Sequence, residues 1–323
     1  MEVRTCAKPL CYLCGSQGKY LYLNTKDQTG KAPGQWNVKQ CNNPDCGLCW
    51  LDPMPLVEDI GKLYSNYYTH FPEPLKEKNQ FVEQSKYFLK SLLTLIPTLD
   101  RDKIMADYRY LQGVKPGKLL DIGCGNGSFL QEMQRKGWEV VGIDFDQAAV
   151  NVTKQRGIEA YVGDLSTITF PKNSFDAITL NHVIEHLYDP LSCLRSCHNL
   201  LRDGGKLTLI TPNIESLGHK HFKQYWRGLE TPRHLFLFSP KTLRSIAIQA
   251  GFSQIKCFSV ISIRQIISPG ILEASLRIEL KNTTSKGLLA NNKYRANFLA
   301  LQELILKVTN NSIGECVVLL AQK

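Results

Sequence analysis

A turn rich in glycine is the first feature of the chain whose residue types and spacing suggest chemistry. An apolar run over 118–122, which contains Asp121, is followed by Gly123, Gly125 and Gly127. A strand, a glycine turn and a helix in this order bring the backbone close to a bound ligand, where larger side chains would clash. The spacing is G-x-G-x-G, whereas turns that bind the pyrophosphate of a dinucleotide have G-x-G-x-x-G. The turn therefore predicts a nucleotide-like ligand without a pyrophosphate.

Polar residues at the ends of three later apolar runs extend this candidate site. Asp144 ends the second run, about 20 residues after the glycines, where a carboxylate can accept both ribose hydroxyls. Phe145, next to it, is expected to pack on an adenine ring. Asp164, followed by Leu165, closes the third run and is expected to accept the adenine amino group. The fourth run ends at Asn181, so its carboxyl end is expected to face the reacting part of the ligand.

A regular alternation of strand-like and helix-like segments begins at Lys118 and places these residues at strand ends. Strands that alternate with helices indicate an α/β fold with a parallel, doubly wound sheet, in which the loops after the strands build the binding site. A further helix is predicted to start at Pro240 and to stop at Gly251. Strands are predicted at 118–122, 139–143, 158–162, 175–180, 205–211, 254–260 and 314–321, and helices at 127–136, 147–155 and 190–202.

The order of these motifs resembles that of the class I S-adenosylmethionine (SAM) dependent methyltransferases. The likeness covers residues 117–212 and rests on Asp-x-Gly-x-Gly-x-Gly, the acidic end of strand two, Gly-Asp after strand three and Asn-His at strand four. It implies a Rossmann-like sheet of seven strands with the last strand antiparallel. It also implies that SAM binds to Asp121, Gly123, Gly125, Asp144, Phe145, Asp164, Leu165 and Asn181.

Three candidate catalytic residues, His182, Glu185 and His186, directly follow the fourth strand and share one face if the segment is helical. His182 is the preferred general base for an acceptor hydroxyl or carbon acid. Alternatively, the three residues hold a divalent ion, because similar quinone-biosynthesis O-methyltransferases have E-x-x-E-H here, which binds metal in some of them. His182 replaces the first Glu of that motif, and this disfavours Mg²⁺, which prefers oxygen ligands. A third possibility is that Glu185 and His186 only cap and orient the helix.

The segment 212–238, after the fifth strand, resembles the lid of small-molecule and sugar methyltransferases of this group. Trp226, Arg227 and Arg233 are expected to line the pocket of the methyl acceptor. His234 is a second candidate base. The alternative is a loop with only a structural role.

Six of the 11 cysteines lie in the first 49 residues, and this clustering indicates a metal site in a reducing compartment. Cys11-x-x-Cys14-Gly has the form of a zinc knuckle, but its partner pair is ambiguous, because Cys46-x-x-Cys49 has the regular spacing. Cys46, like Cys14, precedes a glycine. We therefore prefer Cys11, Cys14, Cys41 and Cys46, with Cys49 as the substitute. A zinc site of four cysteines is structural, since it has no open position for chemistry.

A cysteine module before a SAM domain resembles two groups of proteins. In one group, certain ribosomal-RNA methyltransferases, the module grips RNA. The other group contains deoxysugar C-methyltransferases and their bacterial relatives, and residues 35–70 are more similar to these. The module is also not strongly basic. The resemblance therefore favours a small-molecule acceptor.

Composition sets broad limits on the protein. The 323 residues have 43% hydrophobic and 21% charged residues, which is typical of a globular protein. The formal net charge of +10 permits nucleic-acid binding, but no dense Lys/Arg run demands it. No apolar run approaches the roughly 18 residues of a transmembrane helix. The first residues lack the pattern of a signal peptide, so a cytoplasmic location is expected.

These observations lead to one preferred function and two alternatives. We expect a zinc-ribbon-like module over 1–60, a helical linker or lid over 61–116 and a SAM-binding domain over 117–323, with a helical insertion over 261–312. We expect the protein to transfer a methyl group from SAM to oxygen or carbon of a small molecule, such as a sugar, a quinone or another secondary or cell-envelope metabolite. The alternatives are an RNA methyltransferase and a non-catalytic SAM-binding protein. The oligomeric state is left open.

Overall fold

The computed structural model describes residues 3–28, 32–64, 109–260 and 312–323, together with Ser275, Ile278 and Gln302. The predicted linker or lid lies outside the described residues over 65–108, as does the predicted insertion over 261–311 apart from those three residues.

The N-terminal part consists of short strands around the clustered cysteines. Its strands are β1 (Thr5–Cys6), β2 (Gly18–Thr25), β3 (Trp36–Cys41), β4 (Cys49–Leu51) and β5 (Met54–Pro55), followed by a 3₁₀ turn at Val57–Asp59 and helix α1 (Ile60–Tyr64). We call residues 3–28 and 32–59 the cysteine module. In one of its sheets β1 pairs with β5, and in the other β3 lies between β2 and β4 and pairs with both, all antiparallel.

The rest of the described chain is the α/β unit that the sequence predicts. Its strands are β6 (Lys118–Ile122), β7 (Glu139–Asp144), β8 (Glu159–Val162), β9 (Phe175–Asn181), β10 (Leu201–Pro212), β11 (Phe236–Leu237), β12 (Ser253–Val260) and β13 (Cys316–Gln322). Its helices are α2 (Ser128–Arg135), α3 (Gln147–Gln155), α4 (Pro190–Leu200), α5 (Leu217–Phe222) and α6 (Pro240–Gln249).

Seven strands form one sheet in the order β12-β13-β10-β9-β6-β7-β8. Strands β6 to β10 are parallel, and β13 is antiparallel to both of its neighbours. This topology confirms the predicted seven-stranded sheet with an antiparallel last strand. The chain runs outward from β6 to β8 and then crosses back to β9, so the switch point of the sheet lies between β6 and β9, where ligands bind in open α/β sheets.

Local sequence explains where these elements begin and how they pack. The central strands are covered on both faces, and Leu119, Leu120 and Ile178 are fully buried. Helices α3 and α4 begin at aspartates whose side chains accept hydrogen bonds from backbone N–H groups of the first turn. Helix α6 begins with a capping box of Ser239 and Thr242. No helix within the described residues is both long enough and apolar enough to cross a membrane.

The cysteine module is joined to the α/β unit by a shared sheet. Strand β11 pairs antiparallel with β4, with Phe236 opposite Trp50 and Leu237 opposite Cys49. The four strands of this sheet lie in the order β11-β4-β3-β2. One buried core cluster contains apolar side chains of both parts. The module therefore packs as part of the molecule's main core, and the domain boundary at residue 60 stays a prediction from sequence.

Candidate functional site

The glycine turn lies at the switch point and leaves room for a ligand. Gly123 has a φ of 73°, and a Cβ there would lie 2.3 Å from a methyl group of Val183. Gly125 has a φ of 55°, and a Cβ there would meet no atom within 4 Å. The first position is glycine because the backbone is packed closely, and the second borders open space at the end of β6. This arrangement fits a ligand that approaches the backbone.

Asp144 closes the turn from the neighbouring strand. Its Oδ2 accepts a hydrogen bond from Gly125 N at 2.8 Å, and its Oδ1 accepts one from Asp146 N at 2.9 Å. Burial raises the pKa of Asp144, and these backbone bonds oppose that effect. The carboxylate is therefore fixed at the carboxyl end of β7. Phe145 follows with 63% of its surface exposed, which leaves its ring available to an adenine.

Asp121 contributes a buried carboxylate beneath the turn. It forms an ion pair with Arg109 and accepts a hydrogen bond from Thr179 Oγ1 at 2.7 Å. Burial raises the pKa of Asp121 to about 6, although Arg109 and Thr179 lower it. Its Oδ2 is buried without a hydrogen-bond partner among the described residues. An unpaired buried oxygen at this point fits the ammonium of the amino-acid end of SAM.

Asp164 and Asn181 take the expected places at strand ends. Asp164 follows β8, and its Oδ1 accepts hydrogen bonds from Ser166 N at 2.8 Å and Thr167 N at 3.2 Å. This oxygen therefore stabilises its own turn, and only Oδ2 is without a described partner. Leu165 is half-buried and packs against the main core cluster. Asn181 is the last residue of β9.

His182 and Glu185 form an ion pair beside β9. Their Nδ1 and Oε1 atoms are 3.3 Å apart, and Glu185 Oε2 accepts a hydrogen bond from Thr211 Oγ1 at 2.9 Å. Burial raises the pKa of Glu185, but the bond with His182 and the nearby histidines lower it to about 2. Burial lowers the pKa of His182, but hydrogen bonds with Cys316 and Glu185 raise it to about 10. The raised pKa favours the protonated imidazole at neutral pH. The side chain of His182 is 43% exposed, so the ring can be reached from outside.

The segment after β9 is not a regular helix. Ile184–His186 forms a single 3₁₀ turn, and His182 precedes it with a φ of 55°. The shared helical face that the spacing suggests is therefore absent at this point. Glu185 is fully buried, whereas His182 is exposed.

His186 and His234 lie next to each other beneath this turn, with their ring centroids 4.7 Å apart. His186 Nδ1 is 2.9 Å from Tyr64 Oη and 3.1 Å from Arg233 O. His234 Nδ1 is 2.8 Å from Gly228 O, and burial lowers the pKa of His234 to about 4. His234 is only 6% exposed, so it is a neutral, enclosed imidazole and is less suited to act as the base on an acceptor.

The divalent-ion alternative takes a different form in the structure. One potential ligand atom from each of Glu185, His186 and His234 lies within 4.8 Å of the others. The sequence pattern predicts His182 as the third member of this cluster, but the structure places His234 there. One carboxylate and two imidazoles suit a transition metal better than Mg²⁺.

Two of the residues expected to line the acceptor pocket lie in the interior. Trp226 is fully buried and donates from Nε1 to Glu315 Oε2 at 2.9 Å. Arg233 is also fully buried and forms an ion pair with Asp27 of the cysteine module. Their polar groups are occupied by protein partners, so a direct contact of Trp226 or Arg233 with the acceptor stays a prediction from sequence. Arg227 pairs with Glu230 and keeps 15% of its side chain exposed.

Four cysteine sulfurs come together in the module. Sγ of Cys11 is 3.6 Å from Sγ of Cys46, and Sγ of Cys14 is 3.4 Å from Sγ of Cys41. All four sulfurs lie within 4.8 Å of one another. Zn–S bonds of about 2.3 Å in a tetrahedron require separations of about 3.8 Å, so the cluster fits a zinc ion. Cys49 lies apart in the core, with its Sγ 3.8 Å from Gly47 O.

Sequence reasoning missed the partners that hold these groups. Thr179 and Arg109 bind Asp121, and Tyr64 and Thr211 bind His186 and Glu185 respectively. Of these pairings, only that of Thr179 with Asp121 could have been predicted from the sequence. It lies directly opposite Asp121 in the parallel pair β6–β9, so the strand order together with the register would have paired them.

The fold and this site together define a class I SAM-dependent methyltransferase. The profile of the family described as "Methyltransferase domain" matches residues 82–256, which is more than half of the chain. The chain belongs to this family.

The similar proteins include curated enzymes and solved structures. A ubiquinone biosynthesis O-methyltransferase of Alkalilimnicola ehrlichii is 34% identical over 128 residues, 36% of this chain and 51% of that protein. One of Pseudomonas aeruginosa is 36% identical over 108 residues, 31% of this chain and 47% of that protein. The chain thus spans about half the length of these relatives. Phosphoethanolamine N-methyltransferase 2 of Haemonchus contortus, solved with SAM, is 18% identical with a TM-score of 0.49 and covers 90% of this chain and 70% of that chain.

Proposed function

We propose that this protein transfers a methyl group from SAM to an oxygen or carbon atom of a small molecule. The observation that carries the proposal is the arrangement of four adjacent parallel strands, β9, β6, β7 and β8. Their carboxyl ends carry Asn181, the glycine turn, Asp144 and Asp164 side by side. These groups match the methyl end, amino-acid end, ribose and adenine of SAM in that order.

The chain's own residues have a limited set of tasks in this reaction. SAM supplies an already activated methyl group, so the protein must mainly align the acceptor with it and hold a proton. His182 is the proposed base, because it is exposed at the end of β9 and its Nδ1 lies 3.3 Å from the Glu185 carboxylate, which orients the ring. Since its pKa is raised, it must release a proton before it accepts one from the acceptor, and turnover should rise with pH.

The acceptor class is proposed from likeness and from the module. The curated relatives are named for ubiquinone biosynthesis, and the module resembles that of sugar methyltransferases, so a sugar, a quinone or another small metabolite is the proposed class. RNA is the weaker candidate despite the charge of +10. Lys39 of the module pairs with Asp52, and Arg4 with Asp59, so these cations are already neutralised. The exposed His182 and its pairing with Glu185 at the end of β9 support a catalytic protein over a non-catalytic SAM-binding one.

Zinc in the Cys11, Cys14, Cys41 and Cys46 cluster is proposed as a structural ion. The proposal is supported by the four sulfur atoms, which lie within 4.8 Å of one another and so suit tetrahedral coordination of one zinc ion. The ion would add a cross-link between the loops of the module to the apolar contacts that the module shares with the main core.

An assay with SAM carrying a labelled methyl group separates the three functions. The protein is incubated with a small-molecule extract or with total RNA, and label is counted in each fraction. We expect label in the small-molecule fraction and its loss in His182→Ala. Label confined to RNA would establish the RNA alternative, and SAM binding without any transfer would support the non-catalytic one.

A further inference from the structure

The segment 212–238 contacts the cysteine module along much of its length. This segment connects β10 to α6 and contains β11. Besides the β11–β4 pairing and an ion pair of Asp27, three side chains of β2 and the turn after it make four hydrogen bonds to the segment. These contacts are Tyr22 Oη to His219 Nε2 at 2.8 Å, Thr25 Oγ1 to Thr231 Oγ1 at 3.2 Å, Gln28 Nε2 to Gln224 O at 3.2 Å and Gln28 Nε2 to Trp226 O at 3.1 Å.

A buried ion pair fixes the centre of this contact. Arg233 donates from Nη1 and Nη2 to the two carboxylate oxygens of Asp27, at 3.0 Å each. The side chains are 0% and 1% exposed. Arg233 Nε donates to Leu63 O at 3.0 Å, and Ala32 N donates to Asp27 Oδ2 at 2.7 Å. A bidentate pair that is so fully hydrogen-bonded allows one relative position of its two chain segments.

The backbone on either side of Arg233 holds the histidine turn, which we define as residues 182–187. Arg233 O lies 3.1 Å from His186 Nδ1. Two residues further on, Leu235 N donates to Glu185 O at 2.8 Å. Glu185 in turn contacts His182, the exposed residue at the end of β9. A continuous series of short contacts therefore runs from Asp27 to His182.

We propose that the cysteine module positions the histidine turn, with Asp27 as a positioning residue that acts through Arg233. The module is thus an internal support for the acceptor side of the site, and not a separate binding domain. The proposal rests on the proposed function only in assigning the histidine turn to methyl transfer.

Hydrogen–deuterium exchange of the full chain tests the proposal without a known acceptor. Asp27→Asn keeps the shape of the side chain but leaves the buried guanidinium without a counter-charge. We expect amide exchange in 182–187 and 233–237 to become at least about tenfold faster, while exchange in 119–125 stays at the wild-type rate. SAM affinity measured by calorimetry should stay within about twofold of wild type.

Asp59→Asn is the matched control. Asp59 is a buried carboxylate of the same module, and it pairs with Arg4 and Lys62, away from the 212–238 segment. The control should lower the stability of the protein without accelerating exchange in 182–187. Equal acceleration of 182–187 by both variants, or acceleration that is uniform over the whole chain in Asp27→Asn, would overturn the proposal.

A milder variant keeps the test decisive if Asp27→Asn does not fold. Gln28→Ala removes two hydrogen bonds to carbonyls of the 212–238 segment and buries no unpaired charge. The same segments should exchange faster, by a smaller factor, and wild-type exchange there would overturn the proposal. A wild-type protein that binds no SAM would refute the proposed function, whereas the exchange pattern would still decide the role of Asp27.

Discussion

Burial of His219 should make the stability of the protein depend on pH in a measurable way. His219 lies on α5, with Tyr22 Oη 2.8 Å from its Nε2 and the Trp226 ring centroid 5.3 Å away. Burial lowers its pKa to about 4 from the ordinary value of 6.5. As the pH falls below about 6.5, His219 is protonated in the unfolded chain but stays neutral in the folded protein until the pH approaches 4. His219 therefore contributes stability above pH 6.5, and this contribution is lost as the pH falls towards 4.

The size of this effect follows from the two pKa values. Over the full window it amounts to about 3.4 kcal/mol, and between pH 8 and pH 5.5 to about 1.4 kcal/mol. Urea unfolding of wild type and His219→Gln at both pH values measures it, since glutamine retains a polar group for Tyr22. We expect wild type to lose about 1.4 kcal/mol more than the variant on acidification.

A matched control removes effects common to all variants. His221→Gln changes an exposed histidine of the same helix and should follow the wild-type pH dependence. Acid effects on other groups, including the cysteine cluster, cancel in the comparison. If His219→Gln and wild type lose the same free energy of unfolding between pH 8 and pH 5.5, the burial argument for His219 is refuted.

Two further predictions concern the catalytic and metal groups. With the acceptor that the labelled-methyl assay identifies, kcat should rise with pH and show an inflection well above 6.5, because Glu185 and Cys316 raise the pKa of His182. His182→Ala should abolish this inflection and lower kcat by roughly 10²–10⁴. An inflection that persists in the variant would assign the base to another residue. Elemental analysis of purified protein should find about one zinc per chain, and Cys14→Ser should lose it. A wild-type protein without zinc would reject the structural site. A second metal that disappears in His234→Ala would assign an ion to the cluster of Glu185, His186 and His234.

Features that depend on local sequence were predictable. The glycine turn and the strand–helix alternation predicted the parallel, doubly wound sheet, because these patterns follow from periodicity and from turn chemistry. The seven strands and the antiparallel last strand were implied by the resemblance to the class I methyltransferases. The preference for Cys46 over Cys49 used the glycine that follows it, and Gly47 indeed has a φ of 75°. Strand β10 starts earlier than predicted, at Leu201, because its first residue pairs with β9 across an irregularity before Lys206.

Features that depend on distant partners were not predictable. Arg233 looks like a pocket residue beside His234, yet its carboxylate partner, Asp27, lies 206 positions earlier in the chain. Periodicity carries no information about such a pair, since each member is polar and lies in a loop or turn. The same holds for His234, which joins Glu185 and His186 in the potential metal cluster because the 212–238 segment folds back over the turn. The long-range contacts of Arg233 and His234 with other parts of the protein were therefore not visible in the sequence pattern.

The central claim is that the edge formed by β9, β6, β7 and β8 binds SAM, and calorimetric titration with SAM tests it most directly. Asp144→Ala removes two acceptors that would bind the ribose hydroxyls, so its affinity should fall by about 100-fold or more, at roughly 1.5 kcal/mol for each charged hydrogen bond. Asp146→Ala, which removes the side-chain cap of α3, serves as the control and should bind like wild type. Binding of one SAM per chain, lost selectively in Asp144→Ala, is the predicted result. No binding by wild type, or equal affinity in Asp144→Ala, would contradict the account.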